Sequence, residues 1–236
     1  MIFILSGLLG KGVDVFIEGL FLVAVGIIVA ISVHEASHAW ASDRMGDDTA
    51  RRMGRLSLNP LRHLDPLGAI MLLVAGFGWG KPVPVDAYRL RQGAKTGMAL
   101  VSLAGPLSNF AVAGILGMLL RYGLLAWHAP FYTGLPFAQK TLPWVSADVV
   151  GSIITFNIIL GVFNLIPIPP LDGFKVVLGI LPSSLAHSAS RLEQYGYMVL
   201  LTVVGLDYFF STGILSRILG PGLGFATRVL IGKPFL

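Results

Sequence analysis

Residues 15–41 read VFIEGLFLVAVGIIVAISVHEASHAWA. As a helix this stretch is about 40 Å long at ~1.5 Å per residue, more than the ~30 Å hydrocarbon core of a bilayer requires. Only Glu18 and the polar cluster His34–His38 interrupt it. A membrane span is predicted, and ionisable groups inside a span are expensive enough to read as functional. The rest of the chain agrees: of 236 residues, 55% are hydrophobic and 12% charged, with a mean hydropathy of +0.79. A soluble domain carries about 25% charged residues. The composition therefore speaks against a soluble globular enzyme and for an all-α, multi-spanning membrane protein.

Working outward, Asp43 to Asp65 is a loop with five arginines. Pro66 to Gly76 is apolar but only eleven residues long, too short to cross. Phe77 to Lys95 is rich in Gly, Pro and charge. Thr96–Leu120 and Asp148–Ile166 are a second and a third full span, joined by a sparsely charged loop over 121–146. PIPPLDG at 167–173 breaks the third span, and Phe174–Leu181 is a short apolar segment. Tyr195–Leu206 and Phe209–Leu219 are further apolar stretches. The expected count is about five to six transmembrane helices, short segments included, with short extended strands near one face.

Charge sets the orientation. Lys and Arg total 17 against 12 Asp and Glu, a net charge of +5. No basic run carries interleaved aromatics, so nucleic acid is not an expected partner; the excess fits basic loops on the cytoplasmic side. Nine of the basic residues lie between Arg44 and Lys95. If Pro66–Gly76 crossed the membrane, those nine would be split between two sides. If it dips in and returns, they share one. The second picture obeys the positive-inside rule and makes 43–95 one cytoplasmic region with a re-entrant segment. Irregular backbone at that depth needs protein or a wet cavity around it. The N-terminal MIFILSGLL lacks a basic flank and a cleavage site, which speaks against a cleaved signal peptide. The absence of cysteine removes disulfides, Cys-type zinc sites and thiol nucleophiles.

The polar cluster is His34-Glu35-Ala36-Ser37-His38, an HExxH pattern. Histidines at i and i+4 share one helix face and can grip one Zn²⁺, and the intervening Glu can reach a metal-bound water. The chain has only five His and three Glu, so chance is a poor explanation. The bland alternative, two structural histidines with a Glu partner, leaves the burial of three ionisable groups unexplained. A catalytic zinc needs a third protein ligand and an open position. Ala41 and Arg44 stand where a metzincin extension needs Gly and His, which excludes that class. His63 and His187 read as solvated loop residues, and His128 falls on the far side. Glu193 would serve a gluzincin-like site, but its flanks carry no signal.

Asp172, in Pro169-Pro170-Leu171-Asp172-Gly173, is the remaining carboxylate of note. Locally it reads equally well as the N-cap of the helix at Phe174. Topology decides. The first span delivers the histidines near the cytoplasmic face, and the third returns Asp172 to the same side. A His34–His38–Asp172 zinc site, one Zn²⁺ per chain, follows. The GFGWG run at 76–80 is no phosphate loop, since it lacks GxxxxGK[ST].

HEASH at 34–38, GPLSN at 105–109 and FNLIPIPPLDG at 163–173 together resemble the site-2 protease family of intramembrane zinc metalloproteases, peptidase family M50. The likeness runs from about residue 20 to 180. It implies His34, His38 and Asp172 as zinc ligands, Glu35 as general base and Asn164 as oxyanion stabiliser. Gly105 and Asn109 match an element that packs near the catalytic helix, also readable as small-residue helix packing. Asn157, seven residues before Asn164, reads as an interhelical hydrogen-bonding residue. WGKPVPVDAYRL at 79–90 resembles the family's re-entrant region, where Val83 and Val85 would offer an extended edge to a substrate peptide.

The expectation is thus one transmembrane metalloprotease domain over 1–236. Its core is 15–181, with 193–220 as a gate, and there is no room for the PDZ or CBS domains of some relatives. It would sit in the cell membrane, site near the cytoplasmic face, and cleave membrane-anchored proteins within or near their spans. The competing reading is a zinc transporter or metal-handling protein, which would need ligands on both sides of a path and has no use for Glu35 beside His34.

Overall fold

The computed structural model describes residues 10–68, 80–125 and 136–232. Among them are eight α-helices: α1 (Val13–Arg44), α2 (Thr49–Arg52), α3 (Ala94–Arg121), α4 (Leu142–Asn164), α5 (Asp172–Ile180), α6 (Ser183–Ser190), α7 (Gly196–Phe210) and α8 (Ile214–Leu230). The protein is mostly helical. Helices α1, α3 and α4 are each long and apolar enough to cross a membrane, and each packs on the other two.

Lipid tails are as apolar as leucine, so helices in a bilayer associate through close packing and polar contacts. A Cβ on Gly26 of α1 would lie 2.7 Å from the Ser152 hydroxyl of α4, and that hydroxyl donates to the Leu22 carbonyl at 2.6 Å. A Cβ on Gly161 would sit 2.9 Å from the Phe110 ring. Ala113, Ile154, Ile158 and Ala226 form the apolar core where α8 joins the bundle. Near the start of α1, the buried Lys140 ammonium binds Glu18 of α1 and, at 2.7 Å, Asp148 of α4. The Glu18 that interrupts the first span is therefore one member of a buried ionic cluster.

At the other end α1 stops at Arg44, and Gly46 turns the chain with φ +109°, a region that favours glycine. Asp47 fixes the turn: it accepts from the Thr49 amide at 3.1 Å and the Asp86 amide at 2.8 Å. Helix α5 then packs on the first half of α3, so closely that a Cβ on Gly179 would meet Ala99 at 2.3 Å.

The three long spans match the sequence reading. The larger count does not: the described residues hold three membrane-length helices, or four if the pair 183–210 and 214–230, bent by 104°, is one broken span. The break falls at Ser211–Gly213, both in the left-handed region, and the last helix runs on to Leu230. There is no strand among the described residues. Residues 81–86 form neither helix nor strand, and among the described residues the one sheet-like pairing of this segment is an isolated bridge between Leu64 and Gly80. Prolines at 82 and 84 explain this, since neither has an N–H for a ladder. Residues 1–9, His128 and all but the first three residues of the re-entrant Pro66–Gly76 lie outside the described residues.

Candidate metal centre

The helix spacing of the HEASH segment stacks His34 and His38 one turn apart, with Nε2 atoms 3.0 Å from each other. Asp172 arrives from a different direction. Helix α4 ends at Asn164, the chain folds back over 165–171, and α5 starts at Asp172. The fold-back is tight: a Cβ on Gly173 would lie 2.3 Å from the Leu165 carbonyl oxygen. Asp172 is the first residue of that helix, one beyond its N-cap Leu171. Its Oδ2 lies 3.0 Å from His34 Nε2 and 3.1 Å from His38 Nε2. The two readings of Asp172 that local sequence left level are thus separated by the turn that precedes it.

The other ring nitrogens are fixed as well. His34 Nδ1 is 2.7 Å from Asn109 Oδ1, and His38 Nδ1 is 2.7 Å from the Val101 carbonyl. The Asn109 amide nitrogen donates to the Ala30 carbonyl at 3.0 Å and to Asn157 Oδ1 at 2.9 Å. Asn157 in turn donates to Ile153. This network orients the Asn109 carboxamide, so its oxygen must accept from His34. Both imidazoles then carry hydrogen on Nδ1, which leaves Nε2 as the ring atom available to a metal. Asn157 is the interhelical hydrogen-bonding residue the sequence suggested.

The donor set fits a small divalent cation. Two imidazoles and one carboxylate are a catalytic zinc set, and bond lengths of ~2.0–2.1 Å imply a tetrahedral edge of about 3.3 Å. The triangle here, 3.0–3.1 Å on a side, is close to one face of that tetrahedron and leaves one position open. Gly105 of α3 makes room for it. A Cβ there would lie 2.5 Å from His38 Nε2 and 2.6 Å from His34 Cε1. Among the described residues this is the one group of three His, Asp or Glu able to hold a metal.

A cavity of about 520 Å³ opens on the triangle. Glu35 and Asn164 line it, as do Val83 and Val85. Asn164 donates to the Leu160 carbonyl at 3.1 Å, which leaves its second N–H for the cavity. Tyr197, Leu200 and Leu201 of α7 line it too, although α7 is otherwise largely exposed. Glu35 Oε2 accepts from the Val83 amide at 3.2 Å.

Arg55 stands behind that segment with its guanidinium on the carbonyls of Arg62, Lys81 and, at 2.7 Å, Pro82. Burial pulls Arg55 below its ordinary pKa, partly countered by the Glu35 carboxylate. Asp47 is also buried. Burial raises its carboxyl, but hydrogen bonds from Thr49 and Asp86 outweigh this and hold it below the ordinary value.

Several residues stand elsewhere than the sequence suggested. His63 is not solvated. It is fully buried, with Nε2 2.6 Å from the Ser57 carbonyl, and it stays outside the metal triangle. His187 and Glu193 are exposed, as solvated residues should be, so a third ligand from Glu193 finds no support. Sequence reasoning missed Arg55, Asp47 and Lys175, the last a cavity-lining cation one helical turn beyond Asp172. Spacing from Asp172 could have found Lys175. Nothing local marks Arg55 among five loop arginines.

Comparison with known proteins supplies an independent line. The pattern of peptidase family M50 matches residues 132–206, a stretch that holds Asn164 and Asp172 but not the HEASH helix. Relatives matched over most of this chain carry the name "Putative zinc metalloprotease". YwhC of Bacillus subtilis (strain 168) is 38% identical over 203 residues, 84% of either chain. Rip2 of Mycolicibacterium smegmatis is 29% identical over 186 residues, 78% of this chain and 66% of that one. Rip2 of Mycobacterium tuberculosis (strain H37Rv) is 30% identical over 192 residues, 78% of this chain and 67% of that one. No solved structure matches at a significant level.

Proposed function

We propose that this chain, which belongs to peptidase family M50 and is a zinc metallopeptidase, hydrolyses peptide bonds within or beside the transmembrane segments of membrane-anchored proteins. The observation that carries the reading is the metal triangle: three donor atoms 3.0–3.1 Å apart, beside Glu35 and a cavity, held between helices of membrane length. His34, His38 and Asp172 are the zinc ligands in this reading. Zinc supplies Lewis acidity, activating water and polarising the scissile carbonyl.

The chain's own residues do the rest. Glu35 takes the proton from water and passes it to the leaving amine. Asn164 offers its spare N–H to the oxyanion; removing one such donor typically lowers the rate ~10²–10³-fold. Asn109 and the Val101 carbonyl hold the two imidazoles in the ligating tautomer, and Gly105 keeps helix α3 off the rings. Val83 and Val85 lie along the cavity, where an unwound substrate strand can align.

The whole chain acts as one metalloprotease domain, with 15–181 as core. Residues 193–220 serve as gate, since α7 closes one side of the cavity while packing loosely. The nine basic residues of 44–95 cluster at the end where α1 stops and α3 begins, which supports a site toward the cytoplasmic face of the cell membrane. The test is zinc content and cleavage of a model single-span substrate in detergent, for wild type and Glu35→Gln. Both should hold about one zinc per chain, with only the wild type cleaving. Cleavage by Glu35→Gln at the wild-type rate would refute the role of Glu35, and absence of zinc from both would refute the site.

A further inference from the structure

The stretch Gly80–Asp86 reads GKPVPVD. Between Pro82 and Pro84, Val83 carries the only amide hydrogen, because proline has none. The two rings also restrict the backbone on either side of it. That isolated N–H points at Glu35 Oε2, 3.2 Å away. It is the hydrogen bond the structure gives to this carboxylate among the described residues.

The segment is fastened on both sides of Val83. Upstream, the Lys81 amide donates to the His63 carbonyl at 2.7 Å, and the buried Arg55 guanidinium holds the carbonyls of Lys81 and Pro82. Downstream, the buried Asp47 carboxylate holds the Asp86 amide at 2.8 Å. Arg55 and Asp47 are both nine-tenths or more buried, so these ties are not solvent-exchanged surface contacts. Gly80 completes the arrangement. A Cβ there would lie 3.2 Å from the His63 carbonyl, 3.3 Å from Ile31 and 3.7 Å from Glu35 Oε1; its absence lets the segment lie against α1.

We propose that the Val83 backbone N–H is the positioning donor of the general base: it occupies Glu35 Oε2 and leaves Oε1 as the oxygen that takes the proton from water. Arg55 and Asp47 act one step further out, by holding the segment that carries the donor. The inference rests on the reading of Glu35 as general base. A glutamate side chain has several rotatable bonds, and an HExxH helix fixes only its Cα. Something must select the rotamer that lines the cavity, and a donor clamped between two prolines does so with little freedom of its own. Displacing a reacting group by about 1 Å can lower a rate ~10²-fold.

The experiment compares Val83→Pro with Val83→Ala in the full-length, zinc-loaded protein. Both remove the valine side chain, and only the first removes the N–H. Val83→Pro is expected to have a kcat about 10–100-fold below Val83→Ala, with the two KM values alike and zinc content unchanged. Equal kcat values in the two variants would overturn the proposal. Arg55→Lys guards against misfolding of the proline variant. Its single ammonium nitrogen does not span the carbonyls that Nη1 and Nη2 of Arg55 reach separately, so a smaller loss confined to kcat is expected, and a loss confined to KM would count against positioning.

A second readout does not depend on activity. Hydrogen exchange of the Val83 amide, the sole exchangeable backbone site of Pro82–Pro84, should be faster in Glu35→Ala than in wild type by about tenfold or more. An unchanged exchange rate would show that the bond is not made. Failure of the underlying reading is separable, since it appears as undiminished cleavage by Glu35→Gln whatever Val83 does.

Discussion

Gly105→Ala adds one methyl group at the centre of the metal triangle. Its Cβ would lie 2.5 Å from His38 Cε1 and Nε2 and 2.6 Å from His34 Cε1. Carbon atoms settle at about 3.5 Å or more, so the rings and helix α3 must separate by roughly 1 Å. Neither ring can turn aside, because each Nδ1 is held at 2.7 Å by Asn109 or Val101. Moving α3 instead carries Asn109 and Val101 away with it. Loss of supporting contacts around a metal ligand alone weakens binding ~10–100-fold. Here the ligands themselves are displaced, so the upper end is expected: about 100-fold, or ~2.8 kcal/mol. The assay is zinc competition against a chromophoric chelator, with Gly114→Ala as control. A Cβ on Gly114 meets only the end of the Leu230 side chain at 3.4 Å, and Gly→Ala inside a helix is otherwise favourable by ~1 kcal/mol. If Gly105→Ala binds zinc as tightly as Gly114→Ala, the rings are not held as described.

Four further outcomes follow from the same geometry. Asn109→Leu should weaken zinc binding ~10–100-fold in the same competition assay, and orphaning the Asn157 oxygen and the Ala30 carbonyl should lower stability by about 1–3 kcal/mol each at most. Lys140→Met leaves Glu18 and Asp148 buried without their cation and should destabilise by ~3–5 kcal/mol, read as a fall in Tm, with zinc stoichiometry of the folded fraction unchanged. Removing zinc with a chelator should lower Tm by the amount set by binding linkage, about 4 kcal/mol where zinc had stood at 1,000 times its Kd, and Asp172→Ala should abolish that difference. Asp47, whose folded carboxyl lies below its ordinary value of 3.8, stabilises the fold above that pH. This contribution fades as pH falls through the lower folded value, so acid denaturation of Asp47→Asn should lack that part of the wild-type slope.

Particular residues show where sequence reading works. The HEASH pair was legible because helix geometry alone puts i and i+4 on one face. The three long spans were legible because apolar length is a one-dimensional property. Asp172 needed topology, and its local sequence fitted a helix cap equally well. His63 misled: an Arg-rich loop suggested solvent, yet the chain around 57–64 folds over the ring and buries it. The number of spans was less legible: Tyr195–Leu206 and Phe209–Leu219 are both apolar, and hydropathy does not register a bend of 104° at Ser211–Gly213.

The sequence by itself determined that the chain crosses a membrane, that HEASH can bind a metal and that an acid follows the third span. These are matters of composition, helical period and order along the chain. Tertiary structure decided what stands around them: that Asn109 and Val101 lock the imidazoles, that Gly105 leaves them space, and that Arg55 and Asp47 hold an isolated N–H against Glu35. Those contacts join residues 26 to 75 positions apart across packed helices and loops. No local pattern encodes them, because distance and direction between elements exist only once the elements have packed.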